Sequence, residues 1–442
     1  MRLIETIKNI WKIEDLRKRL TITFLLIVVY RFGCYVVLPG ISPAALEAMQ
    51  AFTNKAGLMQ LLDMFSGGAF SQASVFALGI MPYITASIIV QLLGIVVPSF
   101  QKMQREGESG RTKMNQITRY LTVLILLVQG PAYLANLRYQ AAGAIAFSFW
   151  DYAYLTVILA AGSMFIMWLG EKITDKGVGN GISFIILVGI IARLPGAFVQ
   201  EFTSRLTASQ GGLVMFLVEI ILLFAVTAGA VLLVQGTRKV PVQYAKRIVG
   251  NRQYGGARQY IPLKVNAANV MPIIFAQAIM FIPITFAGFN SDGSGAFVRA
   301  FSDNTGFWYN LVYFIMIIAF TYFYTAITVR PTQMADDMKR NNGYIPGVKP
   351  GKKTAEYLDA IMDRITLPGS IFLGIVAIMP AFAKLLGVNN SFAQFFGGTS
   401  LIITVGVVLD TLQQIEGHLM MHHYDGLMKS GKIKGRTTGS AY

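Results

Sequence analysis

The sequence predicts an all-α polytopic membrane protein with ten spans, and three observations predict it. Hydrophobic residues make up 54% of the 442 and charged residues only 14%, against roughly 25% charged in soluble proteins; mean hydropathy is +0.54. Ten windows approach the ~20 mostly apolar residues that a bilayer crossing needs: 20–39, 75–98, 117–136, 152–170, 180–200, 213–235, 265–289, 307–329, 365–383 and 400–420. Lysine and arginine collect in alternate connecting segments, as membrane topology requires.

Residues 1–19 are amphipathic and mixed in charge, and Arg17, Lys18 and Arg19 abut the first span. They show neither the short apolar core nor the small-residue cleavage site of a secretory signal. Placing this end in the cytosol puts 1–19, 99–116, 171–179, 236–264, 330–364 and 421–442 on one side, and these hold nearly all the basic residues. The opposite loops hold only Lys55, Arg138, Arg205, Arg299 and Lys384, so both termini are predicted to be cytosolic.

A shorter apolar piece, roughly 58–72, precedes the second span; it is too short to cross and reads as re-entrant. It runs into Gly67-Gly68 and Ser71-Gln72, and the following span carries Pro82 in its middle. The expectation is a helix broken at its start and weakened inside. "GVGNG" (177–181) is glycine-rich but follows no strand, so it reads as the turn between spans four and five. Cys34 is the only cysteine, which excludes an internal disulfide and a cysteine metal site. His418, His422 and His423 read as a solvated helix end rather than a metal site. No phosphate loop, nucleophile elbow or cofactor motif is present, so neither catalytic residue nor cofactor is expected.

The formal charge of +16 is mostly the positive-inside bias, but two cytosolic loops go further. Segment 236–264 contains seven basic residues, no acid and interleaved Tyr244, Tyr254 and Tyr260. Segment 330–364 carries Arg330, Lys339, Arg340, Lys349, Lys352, Lys353 and Arg364 with five acids. Loops this long are uncommon without a function, and their Gly-Gly and Pro-Gly pairs suggest shaped turns. Two basic protrusions on one face read as a docking platform for an acidic protein or RNA phosphates, with anionic lipid headgroups the rival partner.

Within the spans, Arg31 and Asp410 are the charges to watch; Arg193 and Glu219 lie nearer span ends. No paired relay of Asp, Glu or His is seen, which weighs against a proton-driven carrier. Thr85, Ser87, Gln91, Gln129 and Asn266 are polar residues in or at the edges of apolar windows, fitting either helix–helix glue or a contact that opens and closes. "GIMPYITASII" (79–89) echoes "NVMPIIFAQAI" (269–279), the kind of match that points to inverted repeats with a pathway between them.

Several stretches together carry a resemblance: "MFSGGAFSQASVFALGIMPYITASI" (64–88), "WLGEKITDKGVGNGIS" (168–183), "YAKR" (244–247), "PLKVNAANVMPIIFA" (262–276), "GVKPGKKTAEYLD" (347–359) and "FFGGTSL" (395–401). In order along the chain they resemble the SecY family, the central subunits of the bacterial protein-conducting channel. The resemblance implies two pseudo-symmetric five-helix halves, 20–205 and 206–420, hinged at about 200–212, with a cytosolic tail at 421–442. It implies a plug at about 60–73 that includes Phe65, Ser66, Gly67, Gly68 and Phe70. It implies a pore ring of Ile80, Ile84, Ile182, Ile186, Ile274 and Ile403, and a lateral gate whose polar cluster is Thr85, Gln91, Gln129 and Asn266.

The same resemblance assigns the basic loops to docking through Lys246, Arg247, Arg252, Lys339, Arg340, Lys349 and Lys352. The family usually has an arginine where Lys349 stands; lysine keeps the charge but not the planar bidentate fork. The implied function is passive passage of unfolded polypeptides across, and of hydrophobic segments sideways into, a bacterial cytoplasmic membrane. Energy would come from the SecA motor ATPase or the ribosome, whose rRNA phosphates would meet the loops. SecE and SecG would be membrane partners, signal sequences and nascent chains the cargo, and lipid the lateral exit. The alternative is a secondary transporter of a small solute.

Overall fold

A chain this apolar must satisfy its backbone hydrogen bonds within each crossing segment, and the α-helix does so. The computed structural model describes residues 13–43, 46, 63–140, 148–207, 212–244, 247–249, 252–254, 258–268, 270–287 and 306–429. Helix α1 (Glu14–Gly33) opens with acids in its first turn, which suit the positive end of a helix. Helices α2 (Met81–Val96) and α3 (Pro98–Arg105) both begin at a proline. There the missing N–H costs nothing, because first-turn donors have no partner within the helix. Then come α4 (Glu108–Gln140), α5 (Phe149–Lys176), α6 (Gly181–Thr207) and α7 (Gly212–Gln235). Four strands follow: β1 (Thr237–Tyr244), β2 (Arg247–Val249), β3 (Arg252–Tyr254) and β4 (Arg258–Lys264). The remainder is α8 (Met271–Ala287), α9 (Phe307–Thr328), α10 (Pro331–Arg340), β5 (Gly343–Tyr344), α11 (Lys352–Leu385), α12 (Asn390–Ala393) and α13 (Gly398–Lys429).

Each of the ten predicted windows falls on one of these helices: α1, α2, α4 to α9, α11 and α13. Among the described residues, seven helices are long and apolar enough to cross a membrane, or eight if α2 and α3, bent by 102°, form one span. Helix α1 is interrupted by Arg17, Lys18, Arg19 and Arg31, and α8 has only 17 residues. Length and hydropathy alone therefore do not confirm the count of ten. The second span starts at Met81 rather than 75, which puts Pro82 in the first turn of a helix and not in its middle. The seventh starts at Met271 rather than 265, and α11 extends back through 352–364, which the sequence assigned to a loop.

The chain divides into two compact units, one of Met1–Phe52, Leu62–Ala192 and Val407–Tyr442 and the other of Thr53–Leu61 and Arg193–Gly406. In the first, α1 packs on α5, α4 on α5 and α2 on α4, around fully buried Tyr30, Leu126, Leu134, Leu155, Leu159 and Ile166. In the second, α9 packs between α8 and α11, and α11 also meets α7 and α10.

The second unit holds an element that the sequence reading did not anticipate. Strands β1 and β4 form an antiparallel hairpin in which Val240 faces Ile261 and Val242 faces Gln259. Strand β5, from the second basic loop, joins the free edge of β1, giving the order β4-β1-β5. Side chains alternate along a strand, so Val240 and Val242 turn inward while Lys239 and Pro241 stay exposed. The inward face packs with Leu263, Met338, Ile345, Leu358 and Met362 in one apolar cluster. The two basic loops thus share a core. Burying Val242 contributes on the order of 1.5–3 kcal/mol, and an aspartate in its place would bury an unpaired charge. V242D should therefore unfold the sheet and leave the spans in place. Limited proteolysis should show new cleavage within 236–264 and 330–351 while helical circular dichroism stays near that of the parent.

Candidate functional site

After helical residues 63–65, the stretch from Ser66 to Ile80 crosses the interior of the first unit without a regular helix. Backbone groups there need partners other than a helical ladder. Short-range bonds supply some of them. Asp63 Oδ1 accepts from the Ser71 N–H at 2.7 Å, and the Asp63 carbonyl accepts from the Gly68 N–H at 2.8 Å and from Ser66 Oγ at 3.1 Å. Ser66 Oγ in turn accepts from the Phe70 N–H at 3.0 Å. Gly67 and Gly68 sit at φ of 68° and 94°, a conformation that side chains disfavour and that turns the chain back on itself.

The frame supplies further partners. Tyr30 Oη donates to the Ser66 carbonyl at 3.2 Å and Tyr133 Oη to the Phe70 carbonyl at 3.0 Å. Arg31 Nη1 donates to the Gly67 carbonyl at 2.7 Å, a charge-assisted bond worth about 1.5–3 kcal/mol. The chain after α1 runs antiparallel to the end of the segment, with Leu38 N–H on the Ala73 carbonyl and Val75 N–H on the Val36 carbonyl, each at 2.9 Å. Phe65, Ser66 and Phe70 are buried, and the Phe70 ring meets the edge of Tyr133 at 5.0 Å. Close approach explains two frame glycines. A Cβ at Gly162 would lie 2.2 Å from the Val75 carbonyl oxygen, and one at Gly189 would lie 3.2 Å from Gly67 N.

The plug residues expected from the sequence are therefore brought together, from 63 onward; 60–62 lie outside the described residues. The six isoleucines all fall at the cap or in the first two turns of four helices. Ile80 caps α2 and Ile84 follows one turn later; Ile182 and Ile186 open α6, Ile274 opens α8 and Ile403 lies in the second turn of α13. Ile80, Ile186 and Ile403 are buried, and Ile84, Ile182 and Ile274 half-buried. In the polar set, Thr85 donates to its own helix at the Met81 carbonyl, and Gln91 to Ser87, 3.3 Å away. Gln129 is half-buried and Asn266 buried.

Of the docking residues, Lys246 lies outside the described residues, and Arg247 and Arg252 sit on the paired strands β2 and β3. Lys339 and Arg340 close α10, and Lys352 opens α11; with Lys349 they are exposed. Asp410 is exposed and 3.3 Å from Gln414. Among the described residues no cluster with metal-ligand composition occurs.

One cluster escaped the sequence reading. Arg205, counted there as a loop residue, lies near the end of α6 and is buried. Its Nε donates to Glu201 Oε1 at 2.9 Å, and its Nη2 donates to Glu219 Oε1 of α7 and to the Gly387 carbonyl. Glu201 Oε2 accepts from the Asn389 N–H at 2.9 Å. The i, i+4 spacing of Glu201 and Arg205 was the available signal. The expected hinge at about 200–212 is thus flanked by helix up to Thr207 and from Gly212, and the flanks are tied together.

Long apolar helices that seat a non-helical segment through buried hydrogen bonds define a multi-pass membrane protein with a re-entrant element. Comparison then places it. The SecY family model matches residues 74–412. The protein translocase subunit SecY of Streptomyces scabiei is 41% identical over 435 residues, covering 95% of this chain and 98% of that protein. The chain belongs to the SecY family. Two solved structures share the fold at low identity. One concerns the SecY plug domain, which stabilises the closed state of that channel and maintains a membrane seal; its TM-score is 0.65 at 19% identity, over 95% of each chain. The other is Sec61 in the canine ribosome–channel complex from the endoplasmic reticulum, with TM-score 0.61 at 18% identity over 95% of each chain.

Removing Arg205 would leave two buried carboxylates without their cation. R205M should destabilise the protein by about 3–5 kcal/mol, whereas the apolar triple variant E201M/R205M/E219L should recover most of that loss. Thermal unfolding in detergent distinguishes the two.

Proposed function

We propose that this chain is a passive protein-conducting channel of a bacterial cytoplasmic membrane, with both termini cytosolic. The observation that carries the reading is the 41% identity to translocase subunits over 95% of the chain, which favours a conduit over a small-solute carrier. The two membrane charges that a carrier would need are engaged otherwise: Arg31 bonds a backbone carbonyl, and Asp410 is exposed beside Gln414. The chain performs no chemistry of its own, and energy comes from a docked motor ATPase or ribosome.

In this reading the two five-helix halves, 20–205 and 206–420, part to admit cargo. Ile80, Ile84, Ile182, Ile186, Ile274 and Ile403 form the constriction. An apolar ring resists water and ions by dewetting, yet offers no specific grip on a polypeptide of varied sequence. The plug is the piece at about 60–73, of which 63–73 are described. Thr85, Gln91, Gln129 and Asn266 belong to the seam that a signal sequence opens on its way into lipid. SecE and SecG are the membrane partners. The sheet of β1, β4 and β5 is the base of the docking platform for SecA or the ribosome, and the separate β2–β3 ribbon lies between β1 and β4 in the chain.

The decisive experiment is a crosslink. In a C34S background, a cysteine replacing Ile403 should form a disulfide with a cysteine in a secretory chain stalled in transit. An engaged chain that never crosslinks there would remove Ile403 from the path, and a chain that never engages would return the carrier reading. For docking, K246E/R247E should lower affinity for the motor or ribosome by about tenfold or more, with unfolding temperature unchanged. Normal affinity of that double variant for both partners would remove these residues from the platform.

A further inference from the structure

Arg31 is a charge within an apolar window that passage of a polypeptide does not explain. Among the described residues no carboxylate lies within ion-pair distance of it. Its guanidinium is divided between two neighbours. Nη1 donates to the Gly67 carbonyl at 2.7 Å, and Nη2 reaches the Tyr35 hydroxyl at 3.2 Å, with the cation 5.5 Å from the Tyr35 ring centre. Tyr30 and Cys34, one turn apart at the end of the same helix, meet the neighbouring carbonyl of Ser66 at 3.2 Å and 3.9 Å. One face of α1 and its end therefore grips two consecutive carbonyls at the turn of the seated segment. Gly67 is fitted to this contact twice over. Its φ of 68° disfavours a side chain, and a Cβ there would lie 2.9 Å from Arg31 Nη1.

We propose that Arg31 is the positioning residue that latches the 63–74 segment in its seat, and so sets how readily the resting channel opens. This rests on the plug reading above. The chemistry suits a reversible latch. A carbonyl is neutral, so release leaves no second buried charge behind, and Tyr35 can hold the guanidinium while the segment is away. Lysine carries its three donors on a single nitrogen and lacks the planar fork whose two nitrogens reach separate partners, so it should replace arginine only in part.

The test uses the full-length protein with its membrane partners in planar bilayers, reading conductance without cargo. R31M should raise resting open probability roughly tenfold, and R31K should fall between it and the parent. G67A, which keeps the arginine but crowds it, should leak as R31M does, and it carries the test if R31M does not accumulate. A channel lacking residues 63–73 is the reference for the plug reading. In R31M/S66C, oxidation that joins the Cys34 thiol to the one introduced by S66C should restore the tight state, and reduction should release it. If the deletion leaks while R31M and G67A do not, the latch is wrong and the plug reading stands. If R31M leaks but the formed disulfide fails to close it, the leak comes from general disorder and the latch is again wrong. If the deletion does not leak, both readings fall.

Discussion

The constraint on which the first unit depends is the need to satisfy backbone polar groups in a segment that is not a helix. Within a bilayer each unpartnered N–H or C=O costs several kcal/mol, so irregular chain survives only where protein surrounds it. Residues 63 to 80 meet this condition by recruiting donors from around them. Tyr30, Arg31 and Tyr133 each donate to a carbonyl of the segment, and Asp63 accepts from a backbone N–H eight residues further on. The frame yields at Gly162, where a Cβ would clash with the Val75 carbonyl, and at Gly189, where one would crowd Gly67. The donors from α1 and α4 each reach the segment through a hydrogen bond to a neutral carbonyl.

Two arginines show how partner choice separates a fixed joint from a movable one. Arg205 is held by Glu201, Glu219 and the Gly387 carbonyl, and Glu201 also binds the Asn389 N–H. Opening that cluster would strand charges of both signs in a low-dielectric region, which is why paired buried ions rarely come apart. Arg31 has a carbonyl and a tyrosine instead, and losing the carbonyl strands no opposite charge. The cluster at the end of α6 ties that helix to α7, on either side of the stretch that the sequence suggested as a hinge.

Much of this architecture was legible because spanning helices advertise themselves as apolar windows, and all ten windows fall on helices. What failed was local. Pro82 looked like a flaw inside a span because hydropathy does not mark where a helix begins; the preceding residues are apolar but wound in turns. The seat of the Asp63–Ala73 segment was not readable, because it depends on hydroxyls and a guanidinium brought from other helices. The sheet is absent from the sequence reading although "TRKVPVQY" alternates inward valines with exposed residues; a proline within a run is a poor strand signal, and the partner strand β5 lies about a hundred residues away. Arg205 reads as a loop residue and Glu219 as a charge near a span end, Glu201 draws no notice, and only the fold joins them.

The sheet changes how the basic loops should be understood. Taken separately, each is a charged excursion too small to bury a core of its own. Joined through β1 and β5 and covered by Met338, Leu358 and Met362, they become one body built directly on α11, which continues as a membrane helix. Lys339 and Arg340 end one helix of this body and Lys352 begins the other, so their charges stand at fixed separations instead of on tethers. A partner that binds such a body meets preorganised charge and gives up little entropy in doing so. Force applied at either loop is then delivered through a packed core to α11, whereas two independent loops would have absorbed it.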